Sequence, residues 1–145
     1  MKLYLDTSAL NRIFDDQSQA RIYLESMSMT LIFLLIENKK VEIVSSEALA
    51  AETNNNPYNE RKVFVESVLR EAKSFQNLNE NLLTRAEEIE ANMGIKGMDS
   101  LHLACAEKLG VDFFITCDDK LIKRYEGAII VQSPTIFVNN IVSSF

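Results

Sequence analysis

The sequence predicts an α/β protein, specifically a three-layer α/β/α sandwich with a central parallel sheet. Four short segments are continuous apolar runs, "KLYLD", "VEIVS", "DFFIT" and "AIIV". Continuous runs are typical of strands that are covered on both faces, whereas one-sided strands alternate. Segments with helical spacing of apolar residues separate these runs, and strands that alternate with helices form parallel sheets.

Helices are predicted between the strands of the first half. The first covers about 18–38 and ends at Lys39 and Lys40, whose charges suit the C-terminal end of a helix dipole. "SEALAAET" is predicted to be the next helix, which stops at the breaker "NNNP". Pro57 then fits the first turn of a helix with an Asn cap, predicted to continue to about Ser74.

The second half continues the alternation. "NENLLTRAEEIEANMG" is predicted to be a helix that ends at Gly94, and "MDSLHLACAEKLG" a helix between Gly97 and Gly110. Glycine is favoured just past a helix end because it adopts the left-handed conformation without strain. "DDKLIKRY" is a short helix after the third strand. "SPTIFVNNI" is the last helix, because Ser followed by Pro suits a helix start.

Length and composition predict one soluble domain over residues 1–145. The chain has only 4 glycines and 2 prolines, and no stretch resembles a linker. Its longest apolar run, 31–36, is far shorter than the roughly 20 residues that span a bilayer, and Asp6 interrupts any signal-peptide core. Cys105 and Cys117 form neither a metal motif nor a disulfide framework. We therefore expect a cytoplasmic protein with reduced thiols and no membrane association.

Net charge restricts how the protein can bind nucleic acid. The formal charge is -6 at pH 7, which argues against a protein that clamps phosphates with a basic face. It does not exclude an enzyme that binds phosphates through a metal ion held by carboxylates.

Three acids are predicted to meet at one edge of the sheet. Asp6 ends the first strand and Asp118 lies just past the third. Asp99 opens the helix that leads back to the start of that third strand, so it begins at the same edge. Ligands of open α/β sheets bind beyond the carboxyl ends of the strands. Glu52 lies about two turns from this edge, and the sequence does not settle its direction.

Each acid also has a structural interpretation. An Asp near a helix start accepts backbone N–H bonds, and Glu52 alone fits a solvated surface acid. Acids that converge, however, repel one another unless a cation lies among them. Oxygen ligands without Cys or His suit Mg²⁺ or Mn²⁺. Other phosphate-handling patterns fit less well: a haloacid-type phosphatase needs an Asp where Ser8 stands, a receiver domain needs an acidic pair near its first strand, and no Gly-rich phosphate loop is present.

These residues resemble the PIN domain family, which includes VapC-type toxin ribonucleases, over nearly the whole chain. "LYLDTSAL" resembles the opening strand and first acid of the family, and "VSSEALAAE" the segment that leads to its glutamate. The most specific piece is "GMDSLHLACAEKLGVDFFITCDDKL". The resemblance implies a Mg²⁺- or Mn²⁺-dependent endoribonuclease whose catalytic and metal residues are Asp6, Glu52, Asp99 and Asp118, supported by Thr7, Ser8 and Thr116.

The resemblance also implies partners, namely an RNA substrate, a cognate antitoxin and a second copy in a homodimer. A PIN domain without appended domains favours a toxin over an RNA-processing nuclease outside a toxin–antitoxin system. The other alternative is a non-catalytic PIN-like module that binds RNA or a protein, which has no reason to keep all four acids. One segment departs from the family: "TNNNPYNERKVF" is polar where many small toxins have apolar or glycine-bearing sequence.

Basic residues near the acids are candidate contacts to the RNA backbone. They are Lys120, Lys123 and Arg124 on the helix after Asp118 and, with weaker support, Arg12. A solvated helix face explains the first three equally well. The apolar stretch "MTLIFLLI" is expected to be mostly core, with part of it available for a dimer surface.

Three further residues have open roles. His102 shares a helical face with Asp99, but an apolar helix and a hard cation favour a structural role over metal ligation. Cys117 has no base placed beside it, so a packed thiol is expected rather than a nucleophile. Asp119 suits the first turn of its helix, and Thr116 is expected to brace Asp118 through its hydroxyl.

Overall fold

The computed structural model describes residues 1–144, and its middle layer is a five-stranded parallel sheet. The strand order is β3-β2-β1-β4-β5, and every neighbouring pair is parallel. The strands are β1 (Lys2–Leu5), β2 (Glu42–Ser46), β3 (Ser74–Gln76), β4 (Phe113–Ile115) and β5 (Ile130–Gln132). Helices cover the sheet, so the predicted α/β/α class is confirmed.

The helices follow the predicted order. They are α1 (Thr7–Leu10), α2 (Ala20–Glu37), α3 (Glu47–Asn54), α4 (Asn59–Leu69), α5 (Glu80–Met93), α6 (Met98–Leu109), α7 (Asp119–Arg124) and α8 (Pro134–Ile141), with 3₁₀ turns at Arg12–Phe14 and Val142–Ser144. Ser46 and Ser133 cap α3 and α8 through their side chains. Gly94 and Gly110 end α5 and α6 in the left-handed conformation, as predicted.

The chain changes direction across the sheet at β1. The strands of the first half extend from β1 to one side, and β4 and β5 extend to the other. A crevice forms at such a switch point, beyond the carboxyl ends of the strands. The backbone N–H of Asp6 donates to the carbonyl of Ile115 at 2.9 Å. Residues that follow β1 and β4 therefore lie side by side.

Both faces of the central strands are buried. Leu3, Tyr4 and Leu5 on β1 and Phe114 on β4 are all 0% exposed. The rings of Tyr4 and Phe114 stack at 5.1 Å between centroids. Burying a large apolar side chain contributes roughly 1.5–3 kcal/mol, so the β1–β4 seam is among the most strongly packed parts of the sheet.

Two parts of the predicted pattern are wrong. The fourth helix begins at Asn59 and ends at Leu69, so Pro57 lies outside it and no side chain caps it. The helix was predicted to continue to about Ser74, whereas Ser74–Gln76 form the edge strand β3, which was not predicted. Pairing with β2 decides this conformation, because three residues carry too little periodicity to signal a strand and tertiary context overrides local propensity. The helix α1 was also missed, because its four residues are too few to show a helical period.

Helix α2 has apolar residues on more than its core side. Met29, Ile32 and Ile36 are buried, as expected, but Met27 and Leu34 are about half exposed. Within the predicted stretch "MTLIFLLI" (29–36), Phe33 and Leu35 also pack against the core and Leu34 is exposed, so the prediction of a mostly core stretch with an available part is confirmed. Among residues 1–144, no helix has both the length and the apolar character needed to cross a membrane.

Gly97 is the position where the fold depends most clearly on glycine. Its backbone has φ 60° and ψ −134° at the start of α6, whereas Gly110 has the milder left-handed values φ 67° and ψ 40°. A Cβ at either position would meet no atom within 4 Å. Gly97→Ala should therefore lower the free energy of unfolding by about 2–3 kcal/mol, and Gly110→Ala by about 1 kcal/mol, from backbone strain alone. Urea denaturation measures both, and an equal loss for the two variants would contradict the assignment.

Candidate active site

Asp6 is the most buried acid of the site, with 3% of its surface exposed. Its Oδ1 accepts a hydrogen bond from the backbone N–H of Thr7 at 2.9 Å, which makes Asp6 the N-cap of α1. Its Oδ2 accepts from Ser8 Oγ at 2.9 Å and from Thr116 Oγ1 at 2.8 Å. Burial raises the pKa of Asp6, although the charge of His102 and these hydroxyl bonds oppose the shift. Its carboxyl group is thus held in one orientation.

Glu52 points into the same site, which settles the direction that the sequence left open. Its Oε1 accepts hydrogen bonds from Thr7 Oγ1 and from His102 Nε2, the latter at 2.8 Å. Burial acts to raise the pKa of Glu52, but the hydrogen bonds from His102 and Thr7 outweigh it and hold the pKa below its usual value. Glu52 is therefore ionised at neutral pH.

His102 connects Glu52 to the core of the sheet. The ring is fully buried, and Nδ1 lies 2.7 Å from Tyr4 Oη, which in turn lies 2.7 Å from Ser46 Oγ. Burial lowers the pKa of His102, but the bond to Glu52 and the charges of Asp6, Glu52 and Asp99 raise it overall. The imidazolium form fits these contacts, because both of its nitrogens can donate, Nε2 to Glu52 and Nδ1 to Tyr4.

His102 also belongs to the tightest group of possible metal ligands. One ligand atom from each of Asp6, Glu52 and His102 lies within 4.8 Å of the others. Both ring nitrogens of His102 are already engaged by Tyr4 and Glu52, so while these bonds persist the ring has no lone pair for a cation. We therefore assign His102 to positioning Glu52. The predicted structural role is consistent with this, but sequence reasoning missed the contact to Glu52.

Asp99 shows that the acids share one electrostatic environment. It is the second residue of α6, with Gly97 as the N-cap, so the capping interpretation does not apply to it. Burial and then the charge of Asp6 raise the pKa of Asp99 to about 6, with further contributions from Asp118 and Glu52 and opposition from His102. The sheet edge therefore brings the four predicted acids close enough to repel one another.

Asp118 lies beside Asp99 on a small cavity of about 340 Å³. Its Oδ1 accepts from the backbone N–H of Lys120 at 2.8 Å, so it also caps α7. The Thr116 hydroxyl contacts Asp118, as expected, and does so at the backbone N–H of Asp118. Its Oγ1 accepts the backbone N–H of Asp118 at 3.1 Å and donates to Asp6. One hydroxyl thus links the two strand-end acids.

The donor set fits a hard divalent cation. All four acids supply carboxylate oxygens, the ligands that Mg²⁺ and Mn²⁺ prefer. Burial is the first cause of the raised pKa of Asp99 and the charge of Asp6 the second, and a cation among the carboxylates would oppose both.

The predicted basic residues lie in two different settings. Lys120 and Arg124 line the cavity that holds Asp99 and Asp118, and Arg124 Nη1 donates to the carbonyl of Gly94 at 3.0 Å. Lys123 lies in the last turn of α7. Arg12 is ion-paired, since its Nη2 donates to the buried Glu25 at 2.7 Å and its Nη1 to Asp15 at 3.0 Å.

The remaining two candidates have structural roles. Burial raises the pKa of the Cys117 thiol to about 12, so it holds its proton at neutral pH and suits packing, as predicted. Asp119 is exposed and accepts two bonds from Arg21, at 2.7 and 2.8 Å. Arg21 also donates to the carbonyl of Cys117 at 3.3 Å, which ties α2 to the turn that carries Asp118.

Fold and site together define a parallel α/β protein with an acidic crevice at its switch point. The family model of the PIN domain matches residues 3–127, and the chain belongs to the PIN domain family. PIN domains are generally nucleases. A similar solved structure is a chain of VapBC2 from Rickettsia felis bound to a DNA fragment from their promoter, with a TM-score of 0.59 and 16% identity over 91% of this chain and 98% of that one. No curated protein was found to match in sequence.

Asp99→Asn should stabilise the metal-free protein at neutral pH. Because the pKa of Asp99 in the folded protein, about 6, exceeds its ordinary value of 3.8, the folded state binds more protons than the unfolded state between these values. Stability should therefore fall as pH rises through this window, and the variant should lose that dependence. We expect a gain on the order of 1 kcal/mol at pH 7, since partial exposure screens the repulsion.

Thermal unfolding in EDTA at several pH values measures this effect. A variant that is less stable than the parent at pH 7, or that keeps the same pH dependence, would contradict the mutual repulsion of the acids.

His102→Leu should destabilise the fold because it removes one hydrogen-bond partner from Glu52 and one from the buried Tyr4 hydroxyl. The expected loss is roughly 2–4 kcal/mol, including the desolvation of a charged group. His102→Gln keeps a donor near the Nε2 position, so it should lose about half as much. Urea denaturation measures both, and equal losses for the two variants would show that the Glu52 contact contributes nothing.

Proposed function

We propose that this PIN domain is a metal-dependent endoribonuclease that hydrolyses RNA phosphodiester bonds, and that it is the toxin of a toxin–antitoxin pair. The observation that carries the nuclease proposal is geometric: ligand atoms of Asp6, Glu52 and His102 lie within 4.8 Å of one another at the switch point of the sheet, and Asp99 and Asp118 line one cavity. Four carboxylates that repel one another without a cation suit the joint binding of a divalent ion and a phosphate.

Each acid has a defined part in this proposal. Asp6, Glu52, Asp99 and Asp118 would hold Mg²⁺ or Mn²⁺. When bound, such a cation supplies an activated water and neutralises charge at the phosphate. Ser8 and Thr116 keep Asp6 in one orientation, and Thr7 and His102 keep Glu52 in one orientation. Preorganised ligands spare the site a rearrangement when the substrate arrives.

RNA must approach a protein whose net charge is -6. Lys120 and Arg124 lie on the cavity beside Asp99 and Asp118, where they would contact phosphates next to the scissile bond. Lys123, on the same helix, would extend this contact. Arg12 is the weaker candidate, because Glu25 and Asp15 already balance its charge.

The toxin assignment rests on the family and on the fold neighbour. That neighbour is part of a VapBC2 complex, which favours an antitoxin as the partner of this chain. An RNA-processing nuclease outside a toxin–antitoxin system is the alternative. A small DNA-binding protein encoded beside this gene would support the toxin, and its absence would favour the alternative.

A homodimer is also proposed. Tyr23, Leu24, Met27 and Leu34 on α2 are each about half exposed, and a helix that is apolar on several sides is usually covered. Association with a second copy through α2 would bury these side chains.

The buried, protonated thiols of Cys105 and Cys117 agree with a reducing, cytoplasmic location.

Cleavage of total cellular RNA by the purified protein tests the proposed activity. Mg²⁺ or Mn²⁺ should yield discrete fragments, and EDTA should abolish them. Asp118→Asn should lower the rate at least about 100-fold, since a metal site contributes several kcal/mol to the transition state. Asp112→Asn is the matched control, because Asp112 precedes β4 at the opposite edge of the sheet.

The control should cut RNA as fast as the parent. Absent cleavage together with absent metal binding by calorimetry would overturn the nuclease proposal and favour a non-catalytic module. Unchanged cleavage by Asp118→Asn would remove Asp118 from the proposed site.

A further inference from the structure

The polar segment that follows Glu52 lines a cavity next to the acidic site. This cavity measures about 450 Å³ and contains side chains of Asn56, Tyr58 and Arg61. Thr7 and Glu52 line it as well, so it opens directly beside the carboxylates. Its volume lies within the range of roughly 300–1,000 Å³ that is typical of small-ligand sites.

Tyr58 is an exposed aromatic residue held in place at its backbone. It is 65% exposed, the highest value among the large apolar and aromatic side chains of the described residues. Its N–H donates to Asn56 Oδ1 at 3.0 Å. The guanidinium of Arg61 lies 5.4 Å from the Tyr58 ring and 5.6 Å from the ring of Phe14. Packing thus supports one side of the ring, while most of its surface faces solvent beside the cavity.

Both arginines at this cavity are already paired with acids. Arg61 donates to Asp15 at 3.1 Å, and Arg12 donates to Asp15 and to the buried Glu25. Two cations therefore face two anions, and Glu52 adds a further negative charge. A phosphate would gain little electrostatic attraction here, because the arginines are already paired. An uncharged aromatic ligand, by contrast, is not repelled by the acids. The balance favours a nucleobase over a phosphate.

Two side-chain amides could contact the edge of a base. Asn11 Nδ2 donates to the carbonyl of Thr7 at 2.9 Å, and Asn56 Nδ2 donates to Asn11 Oδ1 at 3.3 Å. An amide nitrogen has two hydrogens and an amide oxygen two lone pairs. These bonds, with the one from Tyr58 N–H to Asn56 Oδ1, therefore fix both amides and leave each with one donor hydrogen and one acceptor lone pair for a ligand. Single-stranded RNA is recognised in this way, by stacking and by hydrogen bonds to splayed bases.

We propose that Tyr58, Asn11 and Asn56 form a subsite that binds one unstacked base of a single-stranded RNA, next to the phosphate that lies among the acids. Tyr58 supplies the stacking surface and the two amides contact the base edge. The inference rests on the proposed ribonuclease function and adds to it the feature of the substrate that this chain recognises.

The test measures RNA binding separately from cleavage. Every variant carries Asp99→Asn to prevent cutting, and fluorescence anisotropy reports binding of a labelled, short single-stranded RNA of mixed sequence in Mg²⁺. Tyr58→Ala should weaken binding about tenfold, as expected for the loss of one base–aromatic stack. Tyr58→Phe should bind like the parent. Phe75→Ala is the matched control, because Phe75 is also an exposed aromatic residue, at 52%, but lies on the edge strand β3.

An abasic strand with the same phosphates distinguishes stacking from a general effect. Tyr58→Ala should bind this strand as the parent does, and its salt dependence on the normal RNA should be unchanged because no phosphate contact is lost. Equal weakening on both strands, a loss matched by Phe75→Ala, no loss at all, or no RNA binding by the parent would each overturn the subsite.

The subsite and the nuclease can fail independently. Tyr58-dependent binding without any metal-dependent cleavage would keep the subsite and reject the nuclease. Cleavage by the chain with intact Asp99 that Tyr58→Ala leaves unchanged in both kcat and KM would keep the nuclease and reject the subsite.

Discussion

The hydroxyl of Thr116 joins two acids that lie far apart in the chain. It donates to Asp6, 110 residues away, and accepts the backbone N–H of Asp118. This contact exists because β1 pairs in parallel with β4, so the residues after both strands emerge at one edge. The remaining features of the site depend on that seam: Glu52 and Asp99 reach it from α3 and α6, which pack against each other.

A second layer of contacts controls Glu52. Ser46, Tyr4 and His102 form a buried chain of hydrogen bonds from the end of β2 through β1 to α6. Each link is 2.7 or 2.8 Å long, and buried networks of this kind are stable only when every member is satisfied. The site is thus joined to the sheet core, so a change in the core at Tyr4 would also reach Glu52.

Charge is distributed unevenly around the crevice. The four acids are partly compensated by His102, and Lys120 and Arg124 lie on the side of Asp99 and Asp118. The cavity that Glu52 shares with Tyr58 has paired charges and an exposed aromatic ring. In the proposed function, an RNA strand would contact cations at the cavity of Asp99 and Asp118 and a stacking surface at that of Tyr58, which would reconcile an acidic protein with a polyanionic substrate.

The sequence by itself determined the fold class and the edge at which Asp6, Asp99 and Asp118 lie, because continuous apolar strands imply a parallel sheet and strand ends define its ligand edge. Helix ends at Gly94 and Gly110 were equally predictable from local backbone preference. Only the tertiary structure decided the direction of Glu52, the contact between His102 and Glu52, the edge strand at 74–76 and the position of Tyr58. Each of these depends on atoms distant in sequence, and local spacing and propensity carry no information about such contacts.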